Sequence, residues 1–528
     1  MYLKLFLAGY YTHNLLLILM TPLKQIRILS RKSDLAVIQA KEVGSKILEK
    51  FPDIKIEYIT KKTAGDIDLQ TPLANMNSSG VFTDDLRNDL IKNKCDLAVH
   101  SWKDLPLDLG SDTILAGSLT RADQRDIIFI KKNKFAELKK KKIITIFSSS
   151  PRRIYNLESF FKNFLPFNFD DIKFENIRGN IPLRFKKFLQ GNVDILVIAK
   201  AAIDRLIGNN FLEFDNISKL MKENIKQCFW MVTPLSENPS SPGQGALGIE
   251  IRKKNKKLLE IIKDITDSLT VYCVNEERKI LQKYGGGCHQ KIGVSFFPTF
   301  FGIMKSEKGE PDNGEKFYSW SWNDAKKQPN NKITEDLIYP SSLNNYQFFE
   351  RKEIDQSIIK INSIENHCIW ISRKLALPEK ANISSSNIIW TSGTTTWKKL
   401  AKSGIWVNGT ADGMGEDYNP NISNLVSFPW IKLTHSKAPK TTINNVIATY
   451  ELNEIPIKEN LSNKKFFYWM SSSAFKYALR KNPTIINAIH YCGPGNTYNE
   501  IKKVIGDSNH LKISLSYLEW KKELLNQN

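Results

Sequence analysis

Four polar loops and one glycine-rich loop hold the residues of this chain best suited to chemistry. Residues 30–33 (SRKS) place Arg31 and Ser33, with Lys32 between them, at the start of a helix. Residues 101–106 (SWKDLP) set Lys103 and Asp104 directly after an apolar run, CDLAVH. Residues 148–153 (SSSPRR) put Ser148, Ser149 and Ser150 ahead of Arg152 and Arg153, and residues 176–184 (NIRGNIPLR) put Arg178 and Arg184 around a Gly-Asn turn. Hydroxyls, backbone amides and guanidinium groups gathered at helix N-termini are what a carboxylate or phosphate site requires. Arginine is used here although lysine dominates the chain, which suits planar, bidentate pairing with carboxylates. In YGGGCHQKIG, Gly285, Gly286 and Gly287 precede Cys288 and let the backbone approach a ligand closely. Neighbouring cations would favour the nucleophilic thiolate of Cys288, so this loop suggests covalent attachment of an anionic group.

Each loop alone has a plainer reading. SRKS and SSSPRR serve equally well as helix caps with solvated basic residues. Lys103 and Asp104 could be a surface pair holding a turn, and Cys288 an inert buried thiol. The chemical reading gains because the loops occur together, each after a strand.

The elements that must position them follow from the apolar pattern. Residues 26–30, 95–100, 143–147, 195–199 and 246–251 read as strands, and residues 35–50 and 86–92 as helices. Strands alternating with helices predict α/β sheets covered on both faces, with ligand loops at the carboxyl ends of the strands. Residues 300–365 change character and read as a hairpin followed by a polar connector.

Composition bounds the rest. The 528 residues are 41% hydrophobic, enough for packed cores and for three to four domains at about 150 residues each. A mostly disordered or collagen-like chain is excluded. Lys and Arg number 76 against 55 Asp and Glu, a net charge of +21 that favours polyanionic partners. Six cysteines, none in a C-x-x-C pair, and histidines that do not cluster with them predict no metal site. Too few to staple so long a chain, they suit a reducing compartment and hence a cytoplasmic protein. The apolar first 20 residues are interrupted by Lys4, His13 and Asn14 and lack a small-residue cleavage site, so residues 1–23 read as an extension with Met20 as the expected start.

Taken together, the loops resemble one family, hydroxymethylbilane synthase, also called porphobilinogen deaminase. The resemblance is carried by IRILSRKSDLAVIQA, DLAVHSWKDLP, RADQRDIIF, SSSPRR, IRGNIPLR, AAIDRL, GQGALGIEIR and ERKILQKYGGGCHQKIG, across residues 24–295. It implies that four porphobilinogen units are joined into hydroxymethylbilane, with ammonia released at each step. It implies a dipyrromethane cofactor attached covalently at Cys288. Asp104, with Lys103 beside it, would assist departure of ammonia and steady the cationic azafulvene-like intermediate. Cofactor carboxylates would fall to Arg31, Ser33, Lys103, Ser149, Arg152, Arg153 and Arg178, and substrate to Arg31, Arg178, Arg184, Arg205 and Gln244. The implied fold is two doubly wound domains like those of periplasmic binding proteins plus a small α/β cofactor domain: 24–120 with 232–262, then 121–231, then 263–355. The expected protein is a monomer that binds neither nucleic acid nor membrane.

Three departures stand out. Ser79 occupies the place of an expected lysine in SSGVFTDD, Lys291 follows the thiol loop where the family has proline, and Ser148 replaces threonine. Beyond a linker at 356–367, residues 368–528 are similar to pieces of uroporphyrinogen-III synthase, which closes the same linear product into a ring. There GTTT and GPGNT offer Thr395, Thr396 and Thr497 at helix starts, either to hold propionates or simply as caps. The reading from another class is a two-lobed solute-binding protein for a small polycarboxylate, which would need export and no loop thiol.

Overall fold

Among the residues that the computed structural model describes (23–67, 80–286, 290–322, 333–439, 441–506 and 509–525), strands and helices are organised into five sheets. The expectations for residues 1–22, Ser79 and Cys288 lie outside the described residues. In the first sheet the strand order is Lys55–Lys61, Gln25–Arg31, Leu97–Ser101, Leu247–Arg252, Thr113–Gly117. Its core joins Ile28, Val99 and Ile249 to the inner stripe Ala40, Val43 and Ile47 of the helix Asp34–Lys50. That stripe repeats at three- and four-residue spacing, as a helix lying on a sheet demands.

The second sheet repeats the plan: Asp171–Glu175, Ile143–Phe147, Ile195–Ala199, Asp126–Lys131, Cys228–Val232. Asp126–Lys131 and Ile195–Ala199 are buried along their whole length, which is why Ile195–Ala199 reads as an unbroken apolar run. In each sheet the strand in fourth position is antiparallel to both neighbours. The alternating pattern alone predicts parallel strands; the reversal arises because the chain crosses from the first sheet to the second after Thr113–Gly117 and returns before Leu247–Arg252.

A third sheet, antiparallel, is built from Lys291–Thr299, Gly302–Glu310 and Phe317–Trp322 and packs with the helix Ser268–Lys283. Glu277 on that helix is fully buried where the units meet. It accepts from Arg121 Nη1 at 2.6 Å and Nη2 at 2.9 Å, and from the backbone N–H groups of Gly243 and Phe296, each at 2.8 Å. Buried carboxylates persist when satisfied this fully.

Two further sheets follow. One has six strands, ordered Phe349–Glu353, Val446–Glu454, Trp430–His435, Cys368–Ile371, Ile388–Thr391, Gly409–Thr410. The other has four parallel strands, ordered Ile338–Tyr339, Phe466–Trp469, Ile489–Cys492, Leu511–Ile513. The antiparallel pair Phe349–Glu353 and Val446–Glu454 carries the chain out of the four-stranded sheet and back. Two strands inside 263–355, Ile338–Tyr339 and Phe349–Glu353, thus belong with the C-terminal sheets, and 356–367 includes the helix Gln356–Asn362. Nor is this region tethered at a distance. Phe160 and Phe164 pack edge-on against Trp397, and Val232 N–H donates to Asn408 O at 2.8 Å.

Candidate functional site

Local capping places the basic loops at the carboxyl ends of the strands. Ser33 caps the helix Asp34–Lys50 by accepting from Ala36 N–H, and Ser150 caps Pro151–Phe164, where Pro151 stands in the first turn. Asn180 caps Ile181–Gln190, which turns the loop holding Arg178 and Arg184. Ser149 Oγ accepts from Ile177 N–H at 2.9 Å and donates to Ile177 O at 3.1 Å, binding two of these loops together. Trp102, buried, donates its backbone N–H to Ala246 O at 3.0 Å and anchors the short turn Trp102–Asp104.

Arg31, Asp104, Arg153, Arg178 and Arg184 share one electrostatic neighbourhood. Burial, then the charges of Arg153, Arg178 and Arg31 working against Asp104, push Arg184 down to about 10. Its Nε donates to Gly179 O at 2.7 Å. Arg31 forks onto Asp66 and lies 4.2 Å over the Phe82 ring. Burial opposes the Asp66 charge, but Arg31 outweighs it and holds the carboxyl below its ordinary range. Arg178, buried, donates to Gly65 O at 3.3 Å and so bridges the two lobes. Asp104 is half-buried and makes no hydrogen bond or ion pair with another described side chain. A carboxylate surrounded by guanidinium groups is suited to a positive centre forming among bound anions.

The other expected residues also make contacts within the scaffold. Arg152, 3% exposed, donates to Asp126 at 2.8 Å and to Asn238 Oδ1 and Pro239 O, each at 3.0 Å. Arg153 donates to the second Asp126 oxygen at 2.7 Å. Burial works against the Asp126 charge, yet the two arginines hold its carboxyl far below the usual range. Gln244 donates to Asp126 at 2.9 Å and to Gln124 O at 2.7 Å, while its Oε1 accepts from Lys103 Nζ at 3.3 Å. Burial, helped by Arg153 and Arg152 and opposed by Asp104 and Asp126, lowers Lys103. Arg205 pairs with Glu42 at 3.0 Å, joining a second-lobe helix to Asp34–Lys50.

The glycine loop leaves the helix Ser268–Lys283 beside the Asp104 turn. Arg278 donates to Leu105 O at 3.2 Å and also to Pro106 O. Gly286, with φ +69°, sits so close to Leu107 that an added Cβ would fall 2.6 Å from its Cδ1. That backbone angle favours glycine, while the contact is with the movable end of the partly exposed Leu107 side chain. The described cysteines, Cys95, Cys228, Cys273, Cys368 and Cys492, are all buried. Burial pushes Cys95, Cys228 and Cys368 up to about 12 and Cys273 to about 11, which leaves them inert as nucleophiles at neutral pH.

In the C-terminal third, Thr395 is exposed and Thr396 buried in the first turn of Thr394–Lys402, and Thr497 is half-buried at the start of Asn496–Ile505. The GTTT loop and the GPGNT loop lie on different sheets. A cleft of about 530 Å³ is lined by Asn496, Asn499, Thr441 and Asp417. Gly415 and Gly495 meet backbone to backbone beside it.

Asp66, Glu42 and above all Asp126 were missed by sequence reasoning. The one available signal for Asp126 is a carboxylate heading the otherwise apolar run DIIFI. No helix among the described residues is long and apolar enough to cross a membrane.

A family model described as porphobilinogen deaminase, dipyrromethane cofactor binding domain, matches residues 26–260. The porphobilinogen deaminase of Chlorobium phaeovibrioides is 37% identical over 270 residues, 51% of this chain and 78% of its own length. That of Chlorobium luteolum is 36% identical over 272 residues, with the same coverages. Among solved structures, a putative periplasmic sulfonate-binding protein from Methylobacillus flagellatus aligns with a TM-score of 0.28 and 15% identity over 49% of this chain and 72% of its own. The methionine-binding protein MetQ aligns at 0.27 and 14%, over 48% and 95% respectively.

Proposed function

The chain belongs to the porphobilinogen deaminase family, and from that premise we propose that it joins four porphobilinogen units into hydroxymethylbilane, with Cys288 as the point of covalent attachment and Asp104 as the catalytic carboxylate. The observation that carries this reading is the meeting of the glycine loop, through Gly286 and Leu107, with the turn that holds Asp104 amid Arg31, Arg178 and Arg184.

The dipyrromethane cofactor of the family fits these residues, since a group bearing acetates and propionates suits a cluster whose guanidinium groups outnumber its carboxylates. When bound, it supplies the primer from which the product chain is built. Arg31, Arg153, Arg178 and Arg184, with Ser33, Ser149 and Lys103, would hold the carboxylates of cofactor and substrate. Arg152, Arg205 and Gln244 act through the network described above and position the others. A wholly positive cleft would oppose the cation that forms as ammonia leaves the substrate. The Asp104 carboxylate offsets this, an effect typically worth about 3 kcal/mol. Replacing Asp104 by Asn should therefore cut porphobilinogen consumption by roughly a hundredfold or more while the fold and substrate binding persist. Turnover near the wild-type rate would contradict the role.

A second reading assigns ring closure to the C-terminal third. It is favoured by two sheets joined through an antiparallel pair of strands, with a cleft at the GPGNT loop. The full chain supplied with porphobilinogen should then yield the type-III ring; the type-I ring alone would remove this reading.

A further inference from the structure

The outer side of the second lobe and the six-stranded sheet do not close fully on each other. Between them lies a cavity of about 1160 Å³, bordered on one side by Phe229 and Trp230 and on the other by Ile405, Trp406 and the loop 383–387. Packed protein interiors leave few voids larger than a water molecule, whereas ligand cavities run from about 300 to 1,000 Å³. This one is too large to be a packing fault.

Part of its lining is aromatic. Phe135 and Phe229 lie 4.8 Å apart, and Trp406 is 5.6 Å from each. All three are half-buried, so ring surface remains open to the cavity, and Trp406 is fixed by donating Nε1–H to Trp230 O at 3.2 Å. Its rim is basic. Lys132, Lys139, Lys219 and Lys222 are exposed and form no ion pair among the described residues. Lys139 Nζ lies 4.7 Å over the Phe135 ring and Lys132 Nζ 5.7 Å over the Phe229 ring. The two rim glutamates are already taken, Glu223 by Lys226 and Glu379 by Lys374. Opposite them, Ser384, Ser385 and Ser386 supply hydroxyl groups.

Aromatic surface beneath a rim of lysines that form no ion pair among the described residues suits an apolar ring system bearing carboxylates. We propose that this cavity binds a planar aromatic macrocycle bearing carboxylates at its edge, packed against Trp406 with its carboxylates on the lysines. Such a molecule is what cyclisation and oxidation make of a linear tetrapyrrole, so the link to this protein's pathway rests on the function proposed above, although the binding itself does not. The strand Cys228–Val232 lines the cavity and runs directly into the crossing that carries Gln244.

The test uses the full chain and mesoporphyrin IX, a planar tetrapyrrole with two propionates, followed by quenching of tryptophan fluorescence. Saturable binding with one equivalent is expected. The double variant K139E/K222E, changed only at exposed positions, should bind at least tenfold more weakly while consuming porphobilinogen at the wild-type rate. Absence of saturable binding, unchanged affinity in the double variant, or equally tight binding of oleate would each overturn the proposal. Failure of the deaminase reading shows separately, as an absent dipyrromethane mass on the same protein.

Discussion

Asp126 accepts hydrogen bonds from Arg152, Arg153, Asn238 and Gln244, and none of the four is near it in sequence. This explains why the arginines were legible and their partner was not. A doubled arginine after serines suggests an anion site, and in the fold both guanidinium groups donate to the buried carboxylate of Asp126, while the charge of Arg153 is also felt at Arg184. A sequence cannot show which guanidinium meets an internal carboxylate and which a ligand, because separations of 26 to 118 residues are closed only by the fold. Neutralising Asp126 as Asn leaves two buried guanidinium groups facing an amide. Breaking a buried ion pair from one side typically costs about 3–5 kcal/mol. The Asp126→Asn protein should show a correspondingly lower urea midpoint, and an unchanged midpoint would mean the network is dispensable.

At the scale of elements, the strands that carry the site were readable from their apolar runs, buried throughout in Ile195–Ala199 and on one face in Ile143–Phe147. Ile143–Phe147 and Ile195–Ala199 fall where the apolar runs predict them. The reversal of Asp126–Lys131 and Leu247–Arg252 was not readable, since pairing depends on which crossing delivers a strand. The second crossing also meets the C-terminal third. Ser236 donates its N–H to Asp412 at 2.9 Å and its Oγ–H to the other oxygen of that carboxylate at 2.5 Å. Burial outweighs these bonds and pushes the Asp412 carboxyl up to about 6. A carboxyl whose folded value exceeds its unfolded value contributes stability at low pH and loses it as pH rises from about 4 through about 6. Asp412 has φ +55°, a conformation asparagine tolerates, so Asp412→Asn is a clean probe. Relative to the wild type, this variant should gain on the order of 2 kcal/mol between pH 4.5 and pH 7.5. A difference in unfolding free energy that stays flat with pH would show that the carboxyl titrates normally.

At the scale of the whole molecule, the segment 356–367, expected as a linker, holds the helix Gln356–Asn362, and the reason its polar pattern did not show this is physical. Polar composition marks surface loops but says nothing of what packs beneath them. Beneath them, Leu157, Phe160 and Phe164 of the second lobe share a core with Trp397, Leu400 and Ile369 of the C-terminal third. Burying each large side chain is worth about 1.5–3 kcal/mol, so residues 1–332 expressed alone should aggregate or melt well below the full chain. Equal melting temperatures would make the two parts independent. The central claim is that the thiol of Cys288 tethers a chain of acidic pyrroles beside Asp104. Intact-mass spectrometry of the full chain, with peptide mapping, tests it most directly. The account predicts one added dipyrromethane, located at Cys288 and lost in Cys288→Ser; an unmodified active enzyme, or the same mass on another residue, would contradict it.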